Sequence, residues 1–169
     1  MEPGTFEFAH PDDVAVRATI HWSTPYAHEV LLTGNADEDE GTYFYAIVAY
    51  TDREWWTYYI GMSYDQWVSD RHKQPDHVEK LKELRRNNKE TNFQVSLGAV
   101  KFAPYTRVTR ALIEELEGLL IYANWHEDLV NKKKTEGFHS KRSFHVENAG
   151  FVDHLETAEI AYGVVYRKG

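Results

Sequence analysis

The apolar and polar positions change period several times along the chain. Residues 14–22 alternate loosely and are rich in β-branched side chains, which predicts a strand; residues 29–33 predict a second, short one. Residues 34–41 hold Asp37, Glu38, Asp39 and Glu40 between two glycines, a loop held open by like-charge repulsion. YFYAIVAY (residues 43–50) and WWTYYI (residues 55–60) are strong strand patterns, and Thr51-Asp52-Arg53-Glu54 between them is short enough for a hairpin.

After Gly61 the period becomes helical. Residues 65–74 predict a short helix that Pro75 must end or kink. Asp76 is placed to cap a second helix over residues 77–86, with Val78, Leu81 and Leu84 as its apolar edge and Asn87-Asn88 as its stop. FQVSLGAVKF (residues 93–102) predicts a strand. Pro104 and Thr106 then introduce a long helix to about Trp125, with Val108, Leu112, Leu116, Leu119, Leu120 and Ala123 as its apolar stripe. Residues 143–146 and 160–166 predict two last strands.

The order is hairpin, helix, strand, helix, with extra strands at both ends, which reads as a mixed α+β domain. A length of 169 residues suits one domain. Antiparallel pairing is forced only for the hairpin.

Composition narrows the function. Apolar residues make up 42% and aromatic residues 14%, enough for a sizeable core. Cysteine is absent, which excludes disulfides, thiolate metal sites and cysteine nucleophiles and fits a cytoplasmic setting. No run of 18 apolar residues exists and the first residues carry no secretory pattern, so no membrane association is expected. The net charge of −8 argues against a nucleic-acid binder taken whole. Its distribution softens this. Residues 1–60 carry eleven acidic side chains against only Arg17 and Arg53, a net of −9, whereas residues 61–169 carry sixteen against seventeen basic ones, a net of +1.

The most specific run is Tyr59-Ile60-Gly61, after a predicted strand and before a predicted helix. Gly41-Thr42-Tyr43 opens the paired strand, Arg71 and His72 fall on the short helix, and Glu117 on the long helix has Leu120 and Ile121 at +3 and +4. Leu129-Val130-Asn131 follows that helix. In this order the pieces resemble the GIY-YIG nuclease superfamily over residues 41–131, leaving residues 1–40 and 132–169 as strand-containing extensions. The resemblance implies a small antiparallel sheet flanked by helices and metal-dependent hydrolysis of phosphodiester bonds. It implies that Tyr59 and Tyr43, or Tyr45 two residues on, point from paired strands into one site, where one of them activates the attacking water. Arg71 would stabilise charge on the phosphate, Glu117 would ligate Mg2+ (or Mn2+), and Asn131 would hold the end of the helical region near the site. A His or Tyr is expected one turn after the arginine, where Pro75 stands; His72 or His77 would substitute.

Elementary chemistry suits those roles. A hard divalent cation needs a carboxylate oxygen and keeps several waters, so one glutamate suffices. An arginine fork matches two phosphate oxygens. On a 3.6-residue helix Glu117 falls about 100° from Leu116, at the border of the buried face, while Glu115 sits on the other border and Glu114 faces water. Each residue alone also has a plain reading: tyrosines pack sheets, Arg71 is a solvated helix residue, and Asn131 ends a helix or fills a turn. The nine histidines show no zinc spacing. Lys132, Lys133 and Lys134, with Lys141 and Arg142, form a basic stretch able to hold a phosphate backbone, DNA being expected rather than RNA. The alternative is a non-catalytic module of the same fold that binds nucleic acid or a protein.

Overall fold

β1 (Val16–Trp22) turns Val16, Ala18, Ile20 and Trp22 inward and leaves Arg17, Thr19 and His21 on the other face, the alternation of a strand covered on one side. After it come β2 (Tyr26–Ala27), α1 (His28–Leu32), β3 (Thr42–Thr51), β4 (Glu54–Met62), α2 (Val68–His72) and α3 (Pro75–Asn87). Then follow β5 (Gln94–Phe102), α4 (Arg110–Ala123), β6 (Phe144–Gly150) and β7 (Glu159–Tyr162). The computed structural model describes residues 14–131 and 137–163.

The class is α+β, but the sheet is neither small nor purely antiparallel. Seven strands form one sheet along the path β4-β3-β5-β1-β6-β7, with β2 also paired to β5. β1 and β6 run parallel; every other pair is antiparallel. The terminal strands do not flank a separate three-stranded unit. β1 takes the edge of β5 that β3 leaves open, from Ala18 opposite Phe102 to Trp22 opposite Gly98, and carries the sheet on to β6 and β7. The hairpin lies where its spacing places it. Thr51 pairs with Glu54, and Asp52 and Arg53 have φ of 52° and 69°, the two-residue turn that follows the twist of paired strands.

Several boundaries differ from the pattern's reading. Residues 29–32 are helical rather than extended, with Thr33 as the C-cap, because His28 and Leu31, three apart, both face the interior. Residues 65–67 stay outside α2, since Asp65 has φ of 58°. Pro75 opens α3 instead of merely ending a helix, its missing N–H falling where no helical bond would form. Asp76 therefore sits in the first turn and is not the cap. Inside α3, His77 takes the buried position with Leu81 and Leu84, and Val78 is exposed. α4 starts at Arg110, where the Thr109 side chain accepts from the Leu112 N–H.

Two apolar layers cover the sheet. On one face α4 lays Leu112, Ile113, Leu116, Leu119 and Leu120 against Ile20, Phe44, Ala46, Val48, Ile60 and Val146. On the other, α1, α2 and α3 bring Leu31, Val68, Leu81 and Leu84 onto Tyr45, Ile47, Ala49 and Val95. β4 is the sheet's edge on this side, so both layers end beside it. Among the described residues, no helix is long and apolar enough to cross a membrane.

Candidate functional site

The edge of β4 is closed by the chain that follows α4. Asn131 offers its side-chain amide as a strand would: the Ile60 N–H donates to its Oδ1 at 3.0 Å, and its Nδ2 donates to the Ile60 carbonyl at 2.8 Å. The Val130 N–H adds a bond to the Tyr58 carbonyl at 2.7 Å. These contacts satisfy an edge that would otherwise present unpaired backbone groups.

Beside this edge lies a pocket of about 740 Å³. Tyr59, Arg71, Glu117 and Asn131, far apart in sequence, all line it. Glu117 does not stand over the tyrosine face as expected. α4 packs on the opposite layer from α2 and α3, and Glu117 reaches the pocket because β4, the edge strand, leaves both layers open there. Arg110, Glu114, Glu117 and Ile121 form this wall at i, i+4, i+7 and i+11, a second helical face beside the apolar stripe. Lys80, Glu83, Leu84 and Asn87 of α3 form the facing wall. Lys80 holds its ammonium 4.0 Å from the Tyr59 ring centre, and Arg110 lies 5.1 Å from that of Tyr64. Cations and carboxylates balance: Arg71, Lys80 and Arg110 against Glu83, Glu114 and Glu117.

Arg71 is held by the acidic loop. Glu38 accepts from the Val68 N–H at 2.6 Å and from the Ser69 N–H at 3.2 Å, and so caps the short helix that carries Arg71. The loop is thus anchored by its charge rather than held open by it. The Arg71 guanidinium donates to Gln74 Oε1 and, through both terminal nitrogens, to the two Asp76 oxygens at 3.1 and 3.0 Å. Hydrogen bonding from Arg71 keeps the Asp76 carboxyl below its usual range.

The structure puts Tyr45, not Tyr43, beside Tyr59; the ring centres are 6.1 Å apart. Alternation would give Tyr43 and Tyr45 the same face, but the ladder to β5 skips a residue between Thr42 and Phe44, and this bulge turns Tyr43 onto Tyr64. Gly61 has a steric reason. A Cβ there would lie 2.3 Å from Cζ and Oη of Tyr45, so the ring crosses the strand where only glycine leaves room. Tyr45 is buried and cannot swing away. Gly61→Ala is expected to cost about 3 kcal/mol through overpacking and loss of the tyrosine's hydrogen bond. Urea unfolding checks this; a variant as stable as the parent would place the Tyr45 ring elsewhere.

Behind Tyr45 lies a buried set of histidines. Tyr45 Oη and His77 Nε2 are hydrogen-bonded at 2.6 Å. The His77 ring stacks on His72, 5.1 Å between centres, and His72 Nδ1 meets His28 Nε2 at 3.0 Å. Burial pushes the Tyr45 phenol well up, so it keeps its proton. Burial, then the charges around them, lowers His77 to about 4 and His72 to about 3, so both are neutral. His72 does not line the pocket; it belongs to the packing behind it. No pattern in the sequence singled out His28, Lys80 or Arg110.

No protein-family model matches the chain, and neither a curated protein nor a solved structure does. What the pocket does is therefore a matter of its own chemistry.

Lys132, Lys133 and Lys134 lie outside the described residues. Lys141 and Arg142 do not line the pocket, and Arg142 is paired with Glu115 at 2.5 Å. Arg71, Lys80 and Arg110 are the cations that do line it. A second set of ligand types gathers where Glu147 of β6 faces Glu159 of β7, beside His145. There Arg17 approaches His145 Nδ1 at 3.4 Å and His145 Nε2 meets Glu159 at 2.7 Å. These contacts tie His145 into an Arg–His–Glu chain.

Proposed function

We propose that the protein is a metal-dependent endonuclease with a GIY-YIG-like core, hydrolysing phosphodiester bonds in nucleic acid, DNA rather than RNA, in the cytoplasm. One observation carries this reading: Tyr59, Arg71, Glu117 and Asn131 line a single pocket at the edge of β4. The donor chemistry fits a hard divalent cation. Glu117 and, one turn earlier, Glu114 supply carboxylate oxygens, and among the described residues no histidine lines the pocket. Glu117 would hold Mg2+ or Mn2+, which supplies Lewis-acid stabilisation of phosphoryl charge and a more acidic water.

The chain's own residues do the remaining work. Arg71 receives two phosphate oxygens on its fork. Tyr59 lines the pocket, and its hydroxyl would fix the attacking water by hydrogen bonding. Tyr45, protonated and set against neutral His77, holds the wall behind Tyr59, and its Oη–H can donate to His77 Nε2. Asn131 ties the pocket's floor to β4.

The experiment is a cleavage assay on single-stranded, duplex and branched DNA and on RNA, with Mg2+, with Mn2+ and with chelator. Cutting of at least one substrate, abolished by chelator, is the expected result. Arg71→Ala should lower the rate, and Tyr59→Phe should lower kcat more than it raises KM, since only a hydroxyl is lost. One observation favours the second reading, a binding module without activity: the Arg71 fork is filled by Asp76. Salt-sensitive binding with no cutting under any metal would establish that reading instead.

A further inference from the structure

We propose that Asp76 occupies the seat of a substrate phosphate on Arg71 and is displaced when a nucleic-acid strand binds. The inference rests on the phosphate-binding role proposed above for Arg71.

The geometry is that of a stand-in. Both terminal nitrogens of Arg71 bond the two carboxylate oxygens of Asp76, the paired contact that the fork makes with two non-bridging oxygens of a phosphodiester. The two partners are held differently. The Arg71 side chain is 25% exposed and also bonded to Gln74, whose Nε2 donates to Gln66 Oε1 at 2.9 Å on the pocket's rim. The Asp76 side chain is 62% exposed. The guanidinium is therefore the fixed half of the pair and the carboxylate the movable half.

Asp76 also has a second resting place. It lies in the first turn of α3, a helix of 13 residues, where the helix dipole favours a negative charge. Leaving Arg71 does not leave it unstabilised. A lone phosphate must out-compete this internal carboxylate through one contact. A strand that also reaches the rest of the pocket does so with several contacts at once. Asp76 thereby lowers the affinity of Arg71 for every phosphate alike, so that a lone phosphate binds weakly while a strand with further contacts still binds.

The test uses the parent and Asp76→Asn, with chelator present and two probes, inorganic phosphate and a short single-stranded DNA oligonucleotide. Binding is read from the Arg71 Nε–H signal and, in the parent, from the Asp76 carboxyl carbon by NMR. Asp76→Asn should bind both probes about fivefold tighter, the factor that an exposed ion pair represents. In the parent, the Asp76 carboxyl signal should move as phosphate saturates Arg71, a readout that needs no variant to fold. Equal or weaker binding by Asp76→Asn, or an Asp76 signal that stays still while that of Arg71 moves, would overturn the proposal and make Asp76 a brace for Arg71. Tighter phosphate binding without cutting in either metal would uphold the displacement and remove the nuclease reading. Cutting without tighter binding would do the reverse.

Discussion

Glu117→Gln is expected to lower the cleavage rate at least about a hundredfold, the scale on which a preorganised electrostatic group contributes to a charged transition state. The amide keeps the size of the carboxylate and removes its charge, so the proposed cation site would lose its anionic ligand while the helix keeps its packing. Glu117 stands at the border of the buried face of α4, with Leu116 and Leu120 completely or almost completely buried on either side. The exchange should leave stability within about 1 kcal/mol of the parent. Raising the Mg2+ concentration should recover part of the lost rate if affinity is what fell. Rates under single-turnover conditions, with urea unfolding as the control for the fold, check both halves. A Glu117→Gln protein that cuts as fast as the parent would remove the carboxylate from the chemistry.

The largest effect on stability should come from acid. His72, His77 and His154 are buried and neutral, held at about 3, 4 and 4 chiefly by burial, whereas the unfolded chain titrates them near 6.5. Their folded values are depressed, so the unfolded chain takes up protons first as pH falls. Stability is complete above about pH 6.5 and is lost progressively down to about pH 4 for His77 and His154 and about pH 3 for His72. Each such histidine removes about 1.4 kcal/mol per pH unit across that window. Three together amount to several kcal/mol by pH 5, a large part of the stability of an ordinary domain. The groups around the site chain reinforce this sign, since Arg71, Lys80 and Arg85 all disfavour a further positive charge, while Glu29 and Asp76 offset them in part. Urea midpoints measured from pH 8 to pH 4.5 should fall steadily below pH 6.5. A flat profile to pH 5 would mean that these imidazoles are exposed or paired with carboxylates.

Much of the path from sequence to site was legible in local periodicity. The hairpin, the strand at β5 and the apolar stripe of α4 follow from alternation and from 3.6-residue spacing, because each packs one face against the core. The same spacing contains the pocket wall Arg110, Glu114, Glu117 and Ile121, visible once a second face of α4 is considered. Other features depend on contacts that no local pattern encodes. The bulge that separates Tyr43 from Tyr45 is a property of the ladder with β5. The burial of His77 instead of Val78 depends on the Tyr45 hydroxyl, which gives an imidazole a partner that valine cannot use. Residues 29–33 read as a strand because a short apolar run has no decisive period; the interior positions of His28 and Leu31 settle the helix. The pairing of β1 with β6, which brings β7 into the same sheet, joins residues more than a hundred positions apart.

The measurement closest to the central claim, that this pocket is a divalent-metal centre for cutting nucleic acid, is a Mn2+ titration followed by paramagnetic broadening of backbone amide signals, with cleavage assayed on the same samples. Broadening should centre on Tyr59, Glu114, Glu117 and Asn131, should vanish in Glu117→Gln, and should rise with Mn2+ in step with the cleavage rate. Broadening centred instead on His145, Glu147 and Glu159 or on the loop from Asp37 to Glu40, or cleavage that proceeds while the pocket signals stay sharp, would contradict it.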